Sequence, residues 1–184
     1  MHRKIFHIDV NSAYLSWEAA WRLQHGETLD LRDIPSIVGG DVKKRRGIVL
    51  AKSIPAKAYG IQTGETVYSA VQKCPSLISV APQYERYVVA SDSMVALIRE
   101  YSPYVQRYSV DEVFLDYQGK RDPLDVAEEI RERIKTTLGF PVNIGVGENK
   151  LLAKVASDFT KPDRVHVLLH ARRLGVCETQ VQGL

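Results

Sequence analysis

The stretch Tyr108-Ser109-Val110-Asp111-Glu112-Val113-Phe114-Leu115-Asp116 sets two adjacent acids inside a run that otherwise reads as β-strand. Burying two charges in such a run is costly unless they are paired or bind a cation. A metal site would explain the pair, and it requires a third acid at the end of a similar strand. Asp9, in Lys4-Ile5-Phe6-His7-Ile8-Asp9-Val10-Asn11, stands in that place. The plainer reading is a solvated turn, and the pair taken alone favours it. Neighbouring strand residues point to opposite faces, so Asp111 and Glu112 can act together only if the chain bends between them.

The rest of the chain bounds the options. Its 184 residues suffice for one sizeable core, or a core plus a small insertion. A hydrophobic share of 45% and a charged share of 26% are those of an ordinary globular protein. A formal charge of +3 neither demands nor excludes nucleic acid, so the placement of charge carries the information. Cys74 and Cys177 lack any CxxC or Cys/His spacing, which argues against a zinc site or a disulfide framework. No apolar run approaches the roughly 18 residues of a membrane span, and the N-terminus lacks a signal-peptide core. These features predict a cytoplasmic protein with no membrane partner.

Residues 4–10 predict a short strand, and Ala13, Tyr14, Trp17, Ala20, Trp21 and Leu23 recur at helical spacing after it. Strand signals follow at 36–40 and 48–51. The basic cluster Lys43-Lys44-Arg45-Arg46 lies in the loop between them, as a solvated face or a phosphate grip. Short helices are expected at 52–59 and 66–73, and a strand at 77–81. Tyr87, Val88, Ser91, Met94, Val95, Ile98 and Tyr101 form a helical stripe ended by Pro103. Two strand-like runs occupy 104–117. Asp122 and Pro123 open a helix as N-cap and first residue. A strand at 141–146 is followed by a helix from Asn149, with Leu151, Leu152, Val155 and Phe159 inward and Lys150, Lys154 and Lys161 outward. A last strand covers 164–168, and the pattern then decays.

Residues 26–76 read as an inserted subdomain. The remaining order, β-α-β-α-β-β-α-β-α-β, predicts an α+β fold. Its sheet would be ferredoxin-like, mixed and largely antiparallel, with helices on one face. In such a sheet the strand of Asp9 and the hairpin of Asp111 can be neighbours. Carboxylates at one edge of a cleft suit Mg²⁺, a cation that prefers oxygen ligands and substrate phosphates. Two such ions about 3.5–4 Å apart can serve an in-line phosphoryl transfer.

Three segments carry a family resemblance. His7-Ile8-Asp9-Val10-Asn11-Ser12-Ala13-Tyr14, the stretch 108–116, and Asn143-Ile144-Gly145-Val146-Gly147-Glu148-Asn149-Lys150-Leu151-Leu152-Ala153-Lys154-Val155-Ala156-Ser157-Asp158 resemble motifs of the Y-family, translesion DNA polymerases, in the family's order. Any one is weak evidence; the three together are specific. The resemblance covers roughly residues 4–168 and is nearest the UmuC-type bacterial branch. It implies a palm at 1–25 and 77–168, fingers at 26–76 and a tail at 169–184, with no room for the family's thumb and little-finger domains.

The resemblance implies DNA-directed nucleotidyl transfer from a dNTP to a primer end, with primer-template DNA as partner and a sliding clamp or other replication protein as a further one. It implies two Mg²⁺ ions held by Asp9, Asp111 and Glu112, with the Val10 carbonyl as a further ligand. Tyr14 would be the steric gate against ribonucleotides, and Lys57 and Lys150 would meet the triphosphate. Lys57 stands where many members carry arginine; lysine keeps the charge but loses the bidentate fork. Ile54 and Ala51 replace a tyrosine and a small hydroxyl residue. Plainer readings stand beside these: Tyr14 as a core aromatic, His7 as a satisfied structural histidine, Lys154 and Lys161 as a solvated helix face, Asp116 as a strand-end residue, Asp158 as a cap or a partner of Lys161. Two other functions stay open, a non-catalytic binding remnant and another two-metal enzyme such as a nucleotide cyclase.

Overall fold

A computed structural model describes residues 3–40 and 47–169. The cluster Lys43–Arg46, the tail from 170 and Cys177 lie outside the described residues. Elements follow in the order β1 (Ile5–Val10), α1 (Ala13–Gln24), β2 (Ser36–Gly39), β3 (Val49–Lys52), α2 (Ile54–Ala58), α3 (Val67–Lys73), β4 (Ile78–Val80), α4 (Tyr84–Arg99), β5 (Val105–Arg107), β6 (Glu112–Asp116), α5 (Pro123–Arg133), β7 (Val142–Gly147), α6 (Lys150–Ser157) and β8 (Val165–Leu168). A π-helical turn, Ile134–Leu138, continues α5 and stops at Gly139, whose φ of 84° suits a left-handed helix end. Asp122 caps α5 by accepting from the Leu124 amide at 2.8 Å, with Pro123 first in the helix, as the sequence predicts. Among the described residues no helix is long and apolar enough to cross a membrane.

The larger sheet has five strands in the order β5-β6-β1-β7-β8. β1 runs antiparallel to both β6 and β7, and β8 joins parallel to β7. The unit β1-α4-β5-β6-α5-β7 is the expected ferredoxin-like arrangement, with β8 added at one edge. Alternation along β1 decides what each face buries. Phe6, Ile8 and Val10 pack with Trp17 of α1, Tyr87, Met94 and Ile98 of α4, and Val126 and Ile130 of α5. At roughly 25 cal/mol per Å² of apolar area removed from water, burial of this cluster stabilises the packing of α1, α4 and α5 on the sheet.

The structure differs from the sequence pattern in four places. The strand at 77–81 does not join the large sheet: β4 pairs parallel with β2, which pairs antiparallel with β3, in a second sheet of three strands. Helices do not all share one face: α6 packs on the opposite side, where Ala153 meets Ile5 and Phe114. The inward stripe on α6 is also reversed. Leu151, Val155 and Phe159 are exposed, and Ala153, Ala156 and Ser157 are the buried residues. The cause is the strand beneath. A Cβ built on Gly145 would lie 1.9 Å from the Ala153 carbonyl oxygen and 2.4 Å from the Ser157 amide nitrogen. The helix backbone sits directly on the glycine strand, and only small side chains fit between. Val88 in the α4 stripe is likewise exposed.

Candidate active site

The bend that the acid pair requires is present. Tyr108 and Ser109 amides both donate to the Glu112 carbonyl, at 2.9 and 3.2 Å, closing the β5–β6 hairpin. The Ser109 hydroxyl donates to Asp111 Oδ1 at 2.6 Å and accepts from the Glu112 amide at 3.0 Å. Asp111 thus lies in the turn and Glu112 is the first residue of β6. Glu112 stands directly opposite Asp9 in the β1–β6 register, so their side chains leave the same face. The Val10 amide donates to the Asp111 carbonyl at 3.1 Å, which ties the turn to the end of β1.

β1 gives way to α1 through Ser12, a non-glycine residue at φ 47°. Neither Asn11 nor Ser12 caps α1 with a side chain; Asn11 instead accepts from the Asp163 amide at 2.9 Å and donates to Asn143 at 3.2 Å. The sharp reversal puts Tyr14 beside the acids. A cleft of about 820 Å³ opens there, lined by Asp9, Val10, Asp111, Tyr14, Lys57 and Lys161 among others. Tyr14 belongs to both of its readings: it lines this cleft, and its ring stacks on Tyr87 at 5.0 Å and meets Tyr84 edge-on at 5.9 Å. Burial raises its hydroxyl pKa, with the charge of Asp111 adding to the effect.

Two expected members stand elsewhere. Glu112 is turned away from the cleft toward α6 and is bonded by the Lys154 ammonium. Lys150 bonds Gln106 and lies 5.6 Å from the Phe114 ring centre, outside the cleft lining. Among the described residues no three His, Cys, Asp or Glu side chains gather closely enough to form a ready metal cage.

Ammonium groups serve the acids instead. Lys161 bonds Asp9 Oδ2 and pairs with Asp158 Oδ1 at 2.8 Å. Burial pushes the Asp9 carboxyl above its ordinary range; the charges of Asp111 and Glu112 add to this, and Lys161 opposes it. For Lys161 and Lys154, burial pulls the pKa down, but the hydrogen bonds that Lys161 donates to Asp158 and Asp9, and Lys154 to Glu112, outweigh it and raise both. The donor set is all oxygen and anionic, which fits a hard divalent cation. Asp9 and Asp111 already share the cleft, and Glu112 would join them by exchanging its lysine for the ion.

Lys154, Lys161 and Ser109 are functional candidates beyond the expected set. Two of them read as solvated lysines, because nothing in a local pattern reports that α6 lies over β1 and β7. Asn143 anchors the turn that carries Lys161: it stands opposite Asp9 in the β1–β7 register and donates to the carbonyls of Ser157 and Thr160 at 3.0 and 2.9 Å. Asp116 takes its plainer role, accepting from Arg3 at 2.8 Å and from Gln118 at 2.6 Å.

Residues 8–158 match the model of the IMS family, described as impB/mucB/samB. A DNA polymerase IV of Clostridium acetobutylicum is 48% identical over 171 residues, covering 91% of this chain and 43% of the relative. DNA polymerase IV 1 of Bacillus subtilis is 40% identical over 171 residues, covering 90% and 39%. The chain therefore spans less than half the length of these curated relatives. Among solved structures, DinB from Sulfolobus solfataricus superposes with a TM-score of 0.77 at 23% identity, covering 90% of this chain and 48% of that one. An insertion ternary complex of Dbh DNA polymerase gives 0.78 at 23%, again over 90% and 48%. At that identity the likeness speaks for the fold.

Proposed function

The chain belongs to the impB/mucB/samB family, and on that premise we propose that it is the palm-and-fingers portion of a translesion-type DNA polymerase. It would join a deoxynucleoside triphosphate to a primer 3′-hydroxyl on a DNA template. The observation that carries the reading is the placement of Asp9 opposite Glu112, with Asp111 in the adjoining turn and facing the same cleft as Tyr14 and Lys57. Residues 1–25 and 77–168 would form the palm and 26–76 the fingers, with β4 hydrogen-bonded into the fingers sheet.

Asp9, Asp111 and Glu112, with the Val10 carbonyl, would hold two Mg²⁺ ions, which when bound activate the primer hydroxyl and neutralise charge on the triphosphate. Lys57 and Lys161 line the cleft and would bind the triphosphate as point charges. Lys161 would thus join Lys57 at the triphosphate, beside Lys150, which lies outside the lining. Tyr14 would exclude a ribose 2′-hydroxyl through the bulk of a ring braced by Tyr87. Primer-template DNA would be gripped through its phosphates, so binding should weaken steeply with salt.

Primer extension tests this reading at high protein concentration and low salt, with Asp111→Ala as control. Incorporation of single deoxynucleotides by the natural chain, abolished in the variant, is the expected result. Extension equal in both would remove Asp111 from the mechanism; none in either would refute activity of this chain alone.

A further inference from the structure

His7 is 1% exposed, among the most deeply buried polar residues of the protein. Its ring is fixed on three sides. Nδ1 lies 2.8 Å from the Ser157 hydroxyl, the ring packs on Phe114 with centres 4.6 Å apart, and the β1 backbone holds it between β6 and β7. The remaining polar atom, Nε2, is buried with no hydrogen-bond partner. It faces Glu112 Oε1 at 3.8 Å, about 1 Å beyond hydrogen-bond length.

A buried, orphaned ring nitrogen is costly, and this one points at a proposed metal-binding carboxylate. One residue keeps the contact from closing. The Lys154 ammonium holds the same Glu112 oxygen, and the Lys154 carbonyl accepts the Ser157 hydroxyl at 2.7 Å. Once the ammonium leaves, both groups gain a better partner. The Ser157 hydroxyl can turn to Nδ1 without moving its oxygen, and the carboxylate selects the neutral tautomer with its proton on Nε2. A chain Ser157–His7–Glu112 then forms, in which each hydroxyl or ring N–H donates to the next group.

We propose that His7 is a positioning residue for Glu112: it takes the carboxylate over from Lys154 and aims it when a divalent cation enters. The inference rests on the reading of Glu112 as a metal ligand. Carboxylates that ligate a metal are themselves held by hydrogen bonds from outer partners, and losing such a partner typically costs about 10–100-fold in metal affinity or activity. His7 takes no part in the chemistry itself.

Two substitutions separate aiming from packing. By shape, His7→Asn keeps a polar group at the Nδ1 position, facing Ser157, and removes the one facing Glu112. His7→Gln keeps an N–H at the Nε2 position. Mn²⁺ affinity is measured by electron paramagnetic resonance on the natural chain, both variants and Glu112→Gln, with thermal melting as a control for folding. The expected result is about tenfold weaker binding in His7→Asn, recovery to within about threefold of the natural chain in His7→Gln, and melting temperatures alike in the two. Should His7→Asn fail to fold, Ser157→Ala carries the test, with about threefold weaker binding expected from a ring left without its hydroxyl anchor. Natural affinity in His7→Asn (or in Ser157→Ala, where that variant carries the test), or equal loss in both His7 variants, overturns the proposal. A natural chain that binds no Mn²⁺, or binds it equally with Glu112→Gln, overturns the metal reading and this inference with it.

Discussion

Lys161 reaches Asp9 from beyond the end of α6, so an acid of the first strand is neutralised by a residue 152 positions later. The same ammonium pairs with Asp158. Asp9 is largely buried near two other acids, and Lys161 supplies the positive charge that a bound cation would otherwise bring. Lys161→Ala should therefore destabilise the metal-free protein by about 1.5–3 kcal/mol, the scale of a hydrogen bond to a charged group. The variant should also bind Mn²⁺ more tightly, since no ammonium competes. Thermal shift in chelator and in saturating Mn²⁺ checks both, because a ligand stabilises in proportion to the logarithm of its excess over Kd. A variant with the natural melting temperature in chelator and the natural Mn²⁺ shift would show the Lys161–Asp9 bond to be idle.

The approach of α6 to β7 leaves no room for a single methyl group. Gly145→Ala would place its Cβ against backbone atoms of Ala153 and Ser157, which cannot rotate aside as a side chain could. Overpacking of this kind costs about 1–3 kcal/mol and at times more, and the upper end is expected here. Urea denaturation measures it. Lys154 and Lys161 would move with the helix, so their bonds to Glu112 and Asp9 should weaken alongside. Leu151→Ser on the outer face of the same helix should change stability by less than about 0.5 kcal/mol, as for exposed positions generally.

That contrast shows where the sequence is legible. β1, the β5–β6 hairpin and β7 are readable because strand alternation and turn chemistry are local signals. The bend at Asp111 could be named in advance because two adjacent strand residues cannot share a face without one. Sheet membership of β4 is not local: three residues, Ile78–Val80, pair with β2 residues that lie 42 positions earlier, Ser36↔Ile78 to Val38↔Val80. On α6, Leu151, Val155 and Phe159 keep helical spacing, yet the glycines of β7 decide which face turns inward. The lysines that neutralise the acids follow from the same placement, as does the orphaned nitrogen of His7.

Asp163 gives the fold a pH dependence of its own. It accepts from Arg131 and from Lys135, each at 2.6 Å, and so ties the turn before β8 to α5 and its π-helical end. Burial pushes the Asp163 carboxyl up, but the bonds from Lys135 and Arg131 outweigh it and hold it below its ordinary value. A carboxylate depressed on folding contributes stability that is complete above the unfolded pKa, about 3.9. That stability is lost as pH falls through the folded value. Asp163→Asn should cost about 1–2 kcal/mol at pH 7. The gap from the natural chain should then narrow as pH drops below about 4. Urea midpoints at a series of pH values follow it, and a gap independent of pH would assign the loss to packing.

Tyr14 separates two contributions in one side chain. Its ring stacks on Tyr87, and it also faces the cleft beside Asp111. Tyr14→Ala should lose stability through the first contact, about 0.5–1.5 kcal/mol beyond the area it buries for an aromatic pair. It should lose discrimination between deoxy- and ribonucleotides through the second. Tyr14→Phe keeps the ring and its bulk, so it should retain both properties. Single-nucleotide incorporation with matched dNTP and rNTP, set beside thermal melting of the three proteins, resolves the two effects. Discrimination lost in Tyr14→Ala and kept in Tyr14→Phe marks a gate made by bulk. Melting lowered with discrimination intact would return Tyr14 to the core, as a brace between α1 and α4.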